Sequence, residues 1–323
     1  MRRVLASAAA ALCLAGCGGG GAADDGGNDR EPARETLSIA TGGRGGIYAV
    51  YGAELAQLIS SRLDGYRGVA IESSGSVQNL LRLRDGKVQI ALTLGDTALD
   101  AVEGREAFDR PVPMRALAQI YPSYVQLVTA AGSGISTLAD LSGKRVSVGS
   151  PDSGTQVVAE RVLDVAGIDP RTAFQRKRLG VAESAQALEQ GSLDAFFWSG
   201  GVPTGAVAEL ARRSPVALVD LSRFGRELRA RWGGVYEIAS IPAGAYGLRR
   251  AVGTISIPNY VVVDEHMDSA LAYDLTKLMF DSRRELEAVD PGAAVLDPTR
   301  AGRVIAPVGL HQGAQEYYDR AGP

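Results

Sequence analysis

Four short apolar runs along the chain each end in a loop rich in glycine, serine or threonine, and each loop leads into apolar residues at helical spacing. The predicted strand, loop and helix of each unit are 37–40, 41–46 and 48–60; 69–71, 73–76 and 77–83; 145–148, 149–155 and 158–165; and 193–198, 199–204 and 206–211. This alternation is typical of parallel sheets covered by helices. We therefore expect an α/β protein whose ligand lies at the carboxyl ends of the strands.

The loops have the chemistry of an anion site. The first backbone amides of a helix have no partner within the helix and lie at the positive end of its dipole, so converging helix starts hold carboxylates or phosphates. Glycine allows close approach of the backbone, and serine or threonine hydroxyls cap the helix or donate to a ligand. Any single loop is equally well explained as a tight turn with an N-cap, but four together favour binding.

Composition sets the broad class. A length of 323 residues predicts about two domains, and 46% hydrophobic residues is ordinary for a chain with a packed core. The formal charge of −3 indicates no polyanionic partner. Because no basic stripe with interleaved aromatic residues is present, nucleic acid is not expected as a partner. We also predict no cofactor.

The N-terminus predicts export. Arg2 and Arg3 precede an apolar stretch, 4–14, that is too short to span a bilayer and has the length of a signal-peptide core. It ends in Leu14-Ala15-Gly16-Cys17, which resembles the lipobox of bacterial lipoproteins and implies acylation of Cys17; a plain secretory signal is the alternative. The segment 18–36 is predicted to be a flexible tether, so we expect an extracytoplasmic, lipid-anchored protein.

The residues that enzymes of common classes need are missing from the sequence. Cys13 leaves with the signal peptide and Cys17 carries lipid, so no cysteine remains as a nucleophile, disulfide partner or metal ligand. His266 and His311 are too few for a histidine-based metal site, and no G-x-S-x-G is present. We therefore expect no catalytic residues and no metal, with a secreted hydrolase as the least favoured alternative.

A series of short motifs then resembles one family over nearly the whole mature length. The motifs are Ala40-Thr41-Gly42-Gly43, Gly45-Gly46 and Tyr48; Gly75-Ser76-Val77 and Asn79-Leu80; Ile120-Tyr121-Pro122; Ser133-Gly134-Ile135 and 138–141; 143–146 and 153–155; 194–197, Gly200 and Pro203-Thr204; and 311–314 with Tyr317-Tyr318. In order and spacing they resemble the TAXI subgroup of TRAP-transporter solute receptors, which hand a small acidic solute to a membrane permease.

The resemblance implies a type II periplasmic-binding-protein-like fold, in which two α/β lobes are joined by crossing strands and close on the solute by a hinge motion. We place lobe one at 37–125 plus 254–323 and lobe two at 126–253. Tyr121-Pro122, which interrupts two apolar runs, and the segment 253–258 fit a hinge.

The candidate ligand-binding residues come from both lobes. They are Thr41, Gly42, Gly43, Arg44, Gly46, Ile47, Tyr48, Ser74, Gly75, Ser76, Asn79, Ser153, Gly154, Thr155, Gln156, Ser199, Gly200, Gly201 and Tyr246. Amides and hydroxyls are expected to hold a carboxylate, Asn79 and Gln156 to read an amino or keto group, and Tyr48 and Tyr246 to cover the carbon chain. The plainer alternatives are a surface amide for Asn79 and lobe packing for the tyrosines.

The chain departs from the family pattern in the first loop, where Arg44, Ile47 and Ala49 replace common polar residues or tyrosine. At Leu94-Gly95-Asp96 only the aspartate of a Gln-Ser-Asp pattern is kept. Arg44 is expected either to pair with a distal carboxylate or to face water at the cleft rim. The resemblance suggests a dicarboxylic solute such as glutamate or 2-oxoglutarate and a TRAP membrane permease as partner, with an ABC permease or a sensor as alternatives.

Overall fold

The computed structural model describes residues 34–289, 296, 301–302, 304 and 306–321. The predicted signal peptide 1–17 with its lipidation site Cys17 lies outside the described residues. So do most of the predicted tether 18–36 and part of the C-terminal portion of lobe one.

A single mixed sheet runs through the described residues. Its strand order is β2-β1-β3-β10-β4-β7-β5-β6, with β8 beside β4 and β9 beside β10. The strands β1 to β10 are Glu35–Ala40, Tyr66–Ile71, Ile90–Leu94, Met114–Ala130, Arg145–Ser147, Gln175–Lys177, Ala195–Gly200, Val216–Leu218, Glu237–Ile241 and Val252–Asp264.

Helices connect the strands and cover the sheet. Within the described residues, α1 to α10 are Ile47–Arg62, Ser76–Arg84, Gly95–Glu103, Gly154–Val165, Val181–Glu189, Gly205–Arg213, Gly225–Trp232, Ser269–Asp281, Arg283–Ala288 and Gln312–Ala321. The apolar face of α1 packs on strands β1 and β3, while α4 buries Val158 and Val162 beneath β5 and β7. This one-sided burial is why the apolar spacing of these segments predicted helices.

The two longest strands, β4 and β10, join the two lobes. The second half of β10, from Asn259, pairs with β3, whereas its first half, up to Ser256, pairs with β9. In the same way, residues 124–130 of β4 pair with β7 and β8. Each long strand therefore contributes to two groups of strands, as the crossing strands of a two-lobed protein must; the lobe boundaries given above stay a prediction.

The parallel pairing expected from the repeated units is found in one group of three strands in each lobe. Strand β1 runs parallel to β2 and β3, and β5 runs parallel to β6 and β7. Strands β4 and β10 run antiparallel to their neighbours, which makes the sheet mixed. The apolar runs of β4 and β10 are not followed by a helix that leads to a parallel strand. These two strands therefore do not belong to the repeated units of strand, loop and helix.

Two prolines face each other where β4 and β10 pass between the lobes. Pro122 is opposite Pro258, and the pairing register shifts directly after Pro258. Because proline has no amide hydrogen, the ladder lacks donors there. The side chain of Asn259 compensates by donating to the carbonyl oxygen of Tyr121 at 2.7 Å and to Oγ of Ser123 at 2.9 Å.

In the part of the chain that the structure describes, no helix is long and apolar enough to cross a membrane.

Candidate functional site

Four helix starts converge on one cavity between the two lobes. Helices α1 and α2 of lobe one and α4 and α5 of lobe two all begin at its wall. The empty space among the lining atoms, part of it open to solvent, is about 540 Å³. The lining residues are Gly42, Gly43, Gly46, Ile47, Tyr48, Ser74, Gly75, Ser76, Leu94, Tyr121, Ser123, Ser150, Ser153, Gly154, Thr155, Gly180, Val181, Trp198, Ser199 and Gly200.

Three of these helices begin at a glycine that cannot cap them with a side chain. Gly46, Gly75 and Gly180 are the N-cap residues of α1, α2 and α5. Helix α8, which does not contribute to the cavity, has Asp268 in this position, and its carboxylate accepts from two amides of the first turn. Since helix starts are usually capped by such side chains, Gly46 and Gly75 leave amides of the first turns at the cavity for a ligand to occupy. At α5 the amide of Gly180 donates to Oε2 of Glu183 at 3.1 Å, so only the amides that follow it are left for a ligand.

Gly75 is also required by the backbone. Its φ of 127° lies in a region that residues with a Cβ rarely adopt. A Cβ here would stand 3.5 Å from Ser153 of the opposite lobe. Since 3.5 Å is an ordinary van der Waals contact, the backbone conformation of the loop, and not lack of space, requires glycine here.

Hydroxyl groups supply the remaining polar lining. Oγ of Ser153 caps α4 by accepting from the amide of Gln156 and donates to the carbonyl of Ser150. Oγ of Ser74 and Oγ of Ser199 are buried and have no hydrogen-bond partner among the described residues. Because a buried hydroxyl without a partner is unfavourable, these two atoms are suited to bind a ligand.

An aromatic wall closes the cavity. The rings of Tyr48 and Tyr121 meet edge to face with centroids 6.4 Å apart. The Tyr48 hydroxyl donates to Oδ1 of Asn259 at 2.5 Å, and burial raises its pKa. The ring of Trp198, from lobe two, packs close to Gly46 of lobe one. A Cβ on Gly46 would lie only 3.0 Å from this ring. The indole Nε1 donates to Oγ1 of Thr204, so the ring presents an apolar surface.

The structure brings most of the predicted site residues to this cavity. Those in its lining are Gly42, Gly43, Gly46, Ile47, Tyr48, Ser74, Gly75, Ser76, Ser153, Gly154, Thr155, Ser199 and Gly200. The predicted residues outside the lining are Thr41, Arg44, Asn79, Gln156, Gly201 and Tyr246.

Asn79 is fully buried beside the cavity and serves the loops. Its Nδ2 donates to the carbonyl oxygens of Thr41 at 2.6 Å and Leu92 at 2.7 Å, and its Oδ1 accepts from Oγ of Ser73 at 2.5 Å. These bonds commit both donor hydrogens of the amide. The side chain therefore holds the first two loops together in place of reading a solute directly.

Tyr246 and Gln156 of lobe two, which were also predicted to contact the solute, bond to other protein groups. The hydroxyl of Tyr246 accepts from the amide of Thr204 at 2.7 Å and so supports the loop after β7. Gln156 lies in a separate groove, where its Nε2 donates to Glu160. Arg44 is exposed to solvent, as in the cleft-rim alternative.

The predicted fourth helix start is replaced by another. Helix α6 begins after Thr204, away from the cavity lining, whereas Gly180 and Val181 at the start of α5 lie in it. Strand β6, which leads to α5, has the polar sequence Gln-Arg-Lys and no apolar run. Its pattern therefore carried no strand signal, and only a glycine directly before a helical pattern pointed to this site.

Hydrogen bonds across the cleft hold the lobes together around the cavity. The amide of Gln78 donates to the carbonyl of Asp152 at 3.1 Å, and Oγ of Ser150 donates to the carbonyl of Ser74 at 3.1 Å. The amide of Ala206 faces the carbonyl of Gly45 at 3.4 Å. The cavity is therefore described in a closed arrangement of the lobes.

A buried ion pair also joins α3 and α4 across the lobes. Arg161 donates to Oδ2 of Asp100 at 2.6 Å and to the hydroxyl of Tyr236 at 3.0 Å, and that hydroxyl donates to Asp96 at 2.7 Å. Burial raises the pKa of Asp100 to about 6, a rise that Asp96 strengthens and Arg161 opposes.

Over the described residues, no group of three or more His, Cys, Asp or Glu side chains is placed to hold a metal ion. The cavity thus offers amides, hydroxyls and aromatic rings, which suit reversible binding of a small molecule with an anionic group.

Comparison with known proteins identifies the family. A model described as the NMT1-like family matches residues 39–322 of the chain. The chain belongs to the NMT1-like family.

Solved structures with the same fold as this NMT1-like chain include PhnD1 from Prochlorococcus marinus in complex with methylphosphonate, with a TM-score of 0.56 and 11% identity over 89% of this chain and 98% of that one. A protein from Xanthomonas citri bound to ATP has a TM-score of 0.52 and 15% identity, covering 89% of this chain and 100% of that one. The two-lobed, periplasmic-binding-protein-like α/β fold expected from the sequence is thereby confirmed.

Proposed function

We propose that the protein is an extracytoplasmic solute receptor that captures a small acidic solute between its lobes. The observation that carries the proposal is the convergence of four helix starts, two of them without a side-chain cap, on one cavity between the lobes. Amides at helix starts bind anions, and hydroxyls without partners complete the site. Capture and release then follow opening and closing of the lobes.

The receptor delivers its solute to a membrane permease, and we propose a TRAP permease of the TAXI type. This rests on the resemblance of the motifs from Ala40 to Tyr318 to that group. An ABC permease is the alternative partner. A solved structure from work on glutathione import via GshT and the cystine ABC importer TcyBC of Streptococcus mutans supports it, because its fold is similar to that of this chain, with a TM-score of 0.52 and 12% identity. Uptake of labelled solute by vesicles that contain one or the other permease separates the two.

We further propose that the protein is anchored by lipid on Cys17, because Leu14-Ala15-Gly16-Cys17 resembles a lipobox. Metabolic labelling with a radioactive fatty acid tests this. The label is expected on the wild-type chain and absent from Cys17→Ser; equal labelling of both would contradict the anchor.

The binding proposal is tested by calorimetry and thermal shift of the purified protein with a panel of carboxylic and amino acids. The panel begins with glutamate and 2-oxoglutarate, the solutes that the family resemblance suggests. A solute that binds only the folded state raises the melting temperature, and a micromolar affinity corresponds to about −8 kcal/mol. If no acid in the panel binds, while a neutral or cationic compound does, the proposed acidic solute is wrong.

A further inference from the structure

The positive potential of the cavity comes from the backbone alone. Among the described residues that line it, none is Asp, Glu, Lys, Arg or His. Arg44, the one cation in the four predicted loops, is exposed to solvent and outside the lining. The amides at the helix starts, each helix start equivalent to a fraction of a unit charge, therefore have to hold any anion that enters.

One hydroxyl group in the cavity lining has no hydrogen-bond partner in the part of the chain that the structure describes and is suited to bind a ligand atom. Ser199 is 8% exposed, lines the cavity, and its Oγ has no hydrogen-bond partner among the described residues. Its own amide is committed to Oγ1 of Thr155 at 3.2 Å. Together with the uncapped helix starts, this hydroxyl provides donors for one carboxylate.

Much of the remaining lining is apolar. Ile47, Leu94 and Val181 are buried aliphatic side chains, and the ring of Trp198 has already used its only donor on Thr204. The nearby carboxylate of Asp96, two residues after Leu94, is already paired with Arg161 at 3.7 Å. Asp96 also adds to the rise in the pKa of the Tyr48 hydroxyl, which burial mainly causes. These surroundings disfavour a second anionic group.

We infer that the solute carries a single carboxylate on a short uncharged chain, and that dicarboxylates are discriminated against. The inference rests on the proposed function and names the solute class for the same cavity. A second carboxylate would lose its hydration beside aliphatic and aromatic side chains with no cation to pair with. The inference therefore replaces glutamate and 2-oxoglutarate, the dicarboxylates suggested by family resemblance, with acids that have a single carboxylate.

Two acids with the same five-carbon backbone test this directly. The acids 2-oxopentanoate and 2-oxoglutarate share the 2-oxo acid head, and they differ in having a methyl or a carboxylate at the far end. Calorimetry on the purified protein is expected to give 2-oxopentanoate an affinity about tenfold or more higher than that of 2-oxoglutarate. An equal or higher affinity for 2-oxoglutarate overturns the single-charge inference and leaves the acidic-solute receptor standing. Failure of both acids and of every other acid overturns the proposed function with it.

A variant ties the preference to this cavity. Ser199→Ala is expected to weaken binding of 2-oxopentanoate by about threefold to tenfold, since one hydrogen bond to a charged group is lost. The control Ser61→Ala removes an exposed hydroxyl of α1 that bonds only within its own helix, and it should leave the affinity unchanged. An unchanged affinity in Ser199→Ala, with the native melting temperature, contradicts the assignment of the carboxylate to this hydroxyl.

Discussion

At the scale of single residues, the side chains around the cavity divide into those that face it and those that hold it in shape. Asn79 belongs to the second group, because it joins the carbonyls of Thr41 and Leu92, one at each of two neighbouring strand ends. From sequence, an asparagine beside a glycine-rich loop was interpreted as a solute contact. Its burial shows that the loops themselves are its partners.

Replacing Asn79 with alanine is expected to lower the free energy of unfolding by about 1–3 kcal/mol, because buried carbonyls lose their donors. Urea unfolding followed by circular dichroism measures this. The control Gln57→Ala removes an exposed amide of α1 and should change stability little. If Asn79→Ala weakens solute binding while stability stays at the wild-type value, the side chain contacts the solute after all.

The raised pKa of Asp100 predicts that the free energy of unfolding depends on pH, with a defined sign. Burial raises its folded-state pKa to about 6 from the ordinary 3.8, so between these values the folded state binds more protons than the unfolded state. The stability contributed by Asp100 is therefore lost as the pH rises from about 4 to above 6. Relative to Asp100→Asn, the wild-type protein should lose stability over this range in urea titrations. The control Asp109→Asn, at an exposed carboxylate, should follow the wild-type curve, and parallel curves for wild type and Asp100→Asn would contradict the raised pKa.

At the scale of helices and strands, α1 and α2 begin at the cavity without a side-chain cap, whereas α4 and α8 each have one. Gly46, Gly75 and Gly180 give up the stability that serine or aspartate would add. At Gly46 and Gly75 amides of the first turn are left for a ligand, so local stability and binding have opposite requirements there. At Gly180 the amide already donates to Oε2 of Glu183 at 3.1 Å. A capping side chain at such a helix start should reveal the conflict.

Gly180 tolerates such a side chain, because its φ of −65° suits any residue. The substitution Gly180→Asp is expected to change the free energy of unfolding little, because repulsion by the Glu183 carboxylate, 3.7 Å from the Cβ position, offsets the gain from capping α5. The introduced carboxylate occupies the amides and repels the solute, so affinity in calorimetry should fall about tenfold or more. The matched variant Gly180→Ala adds a Cβ without a cap or charge and should bind nearly as wild type. Unchanged affinity in Gly180→Asp would mean that the α5 amides do not hold the solute.

At the scale of the whole molecule, the binding site exists only where the lobes meet. Strands β4 and β10 carry the chain between the lobes, and the facing pair Pro122 and Pro258 weakens the ladder at the crossing. Asn259 links this crossing to the cavity through the hydroxyl of Tyr48. The hinge expected at Tyr121-Pro122 therefore stays a prediction with a structural basis.

Closure depends on close packing at Gly45, where a Cβ would stand 2.8 Å from Cβ of Ala206. Gly45→Ala should therefore hold the lobes apart, raise the Kd for the solute about tenfold, and enlarge the solute-bound protein in small-angle X-ray scattering. Gly65→Ala is the control, because Gly65 shares the positive φ but has no atom within 4 Å of its Cβ position. Both variants lose about 1–2 kcal/mol of stability from backbone strain, and equal affinities would contradict the closure contact.

Much of the site was predictable because local patterns determined it. The glycine-rich loops 41–46 and 73–76 follow apolar strands and precede amphipathic helices, and they reach the cavity. Tyr246 and Gln156, which the sequence also placed in the site, do not line the cavity. Their hydrogen bonds to Thr204 and Glu160 depend on tertiary packing, which residue spacing does not encode. The start of α5 was missed because β6 is polar at an edge of the sheet, where an apolar run is not needed.

The sequence by itself determined the strand, loop and helix units and the glycines at which helices near the cavity begin. These follow from residue spacing and backbone preferences over a few turns of chain. Only the tertiary structure decided which helix starts meet, that Asn79 and Tyr246 support loops, and that no charged side chain lines the cavity in the part of the chain described. The reason is that strand order brings together segments far apart in the chain, such as Tyr48 and Asn259, which are 211 residues apart. Local periodicity carries no information on that order.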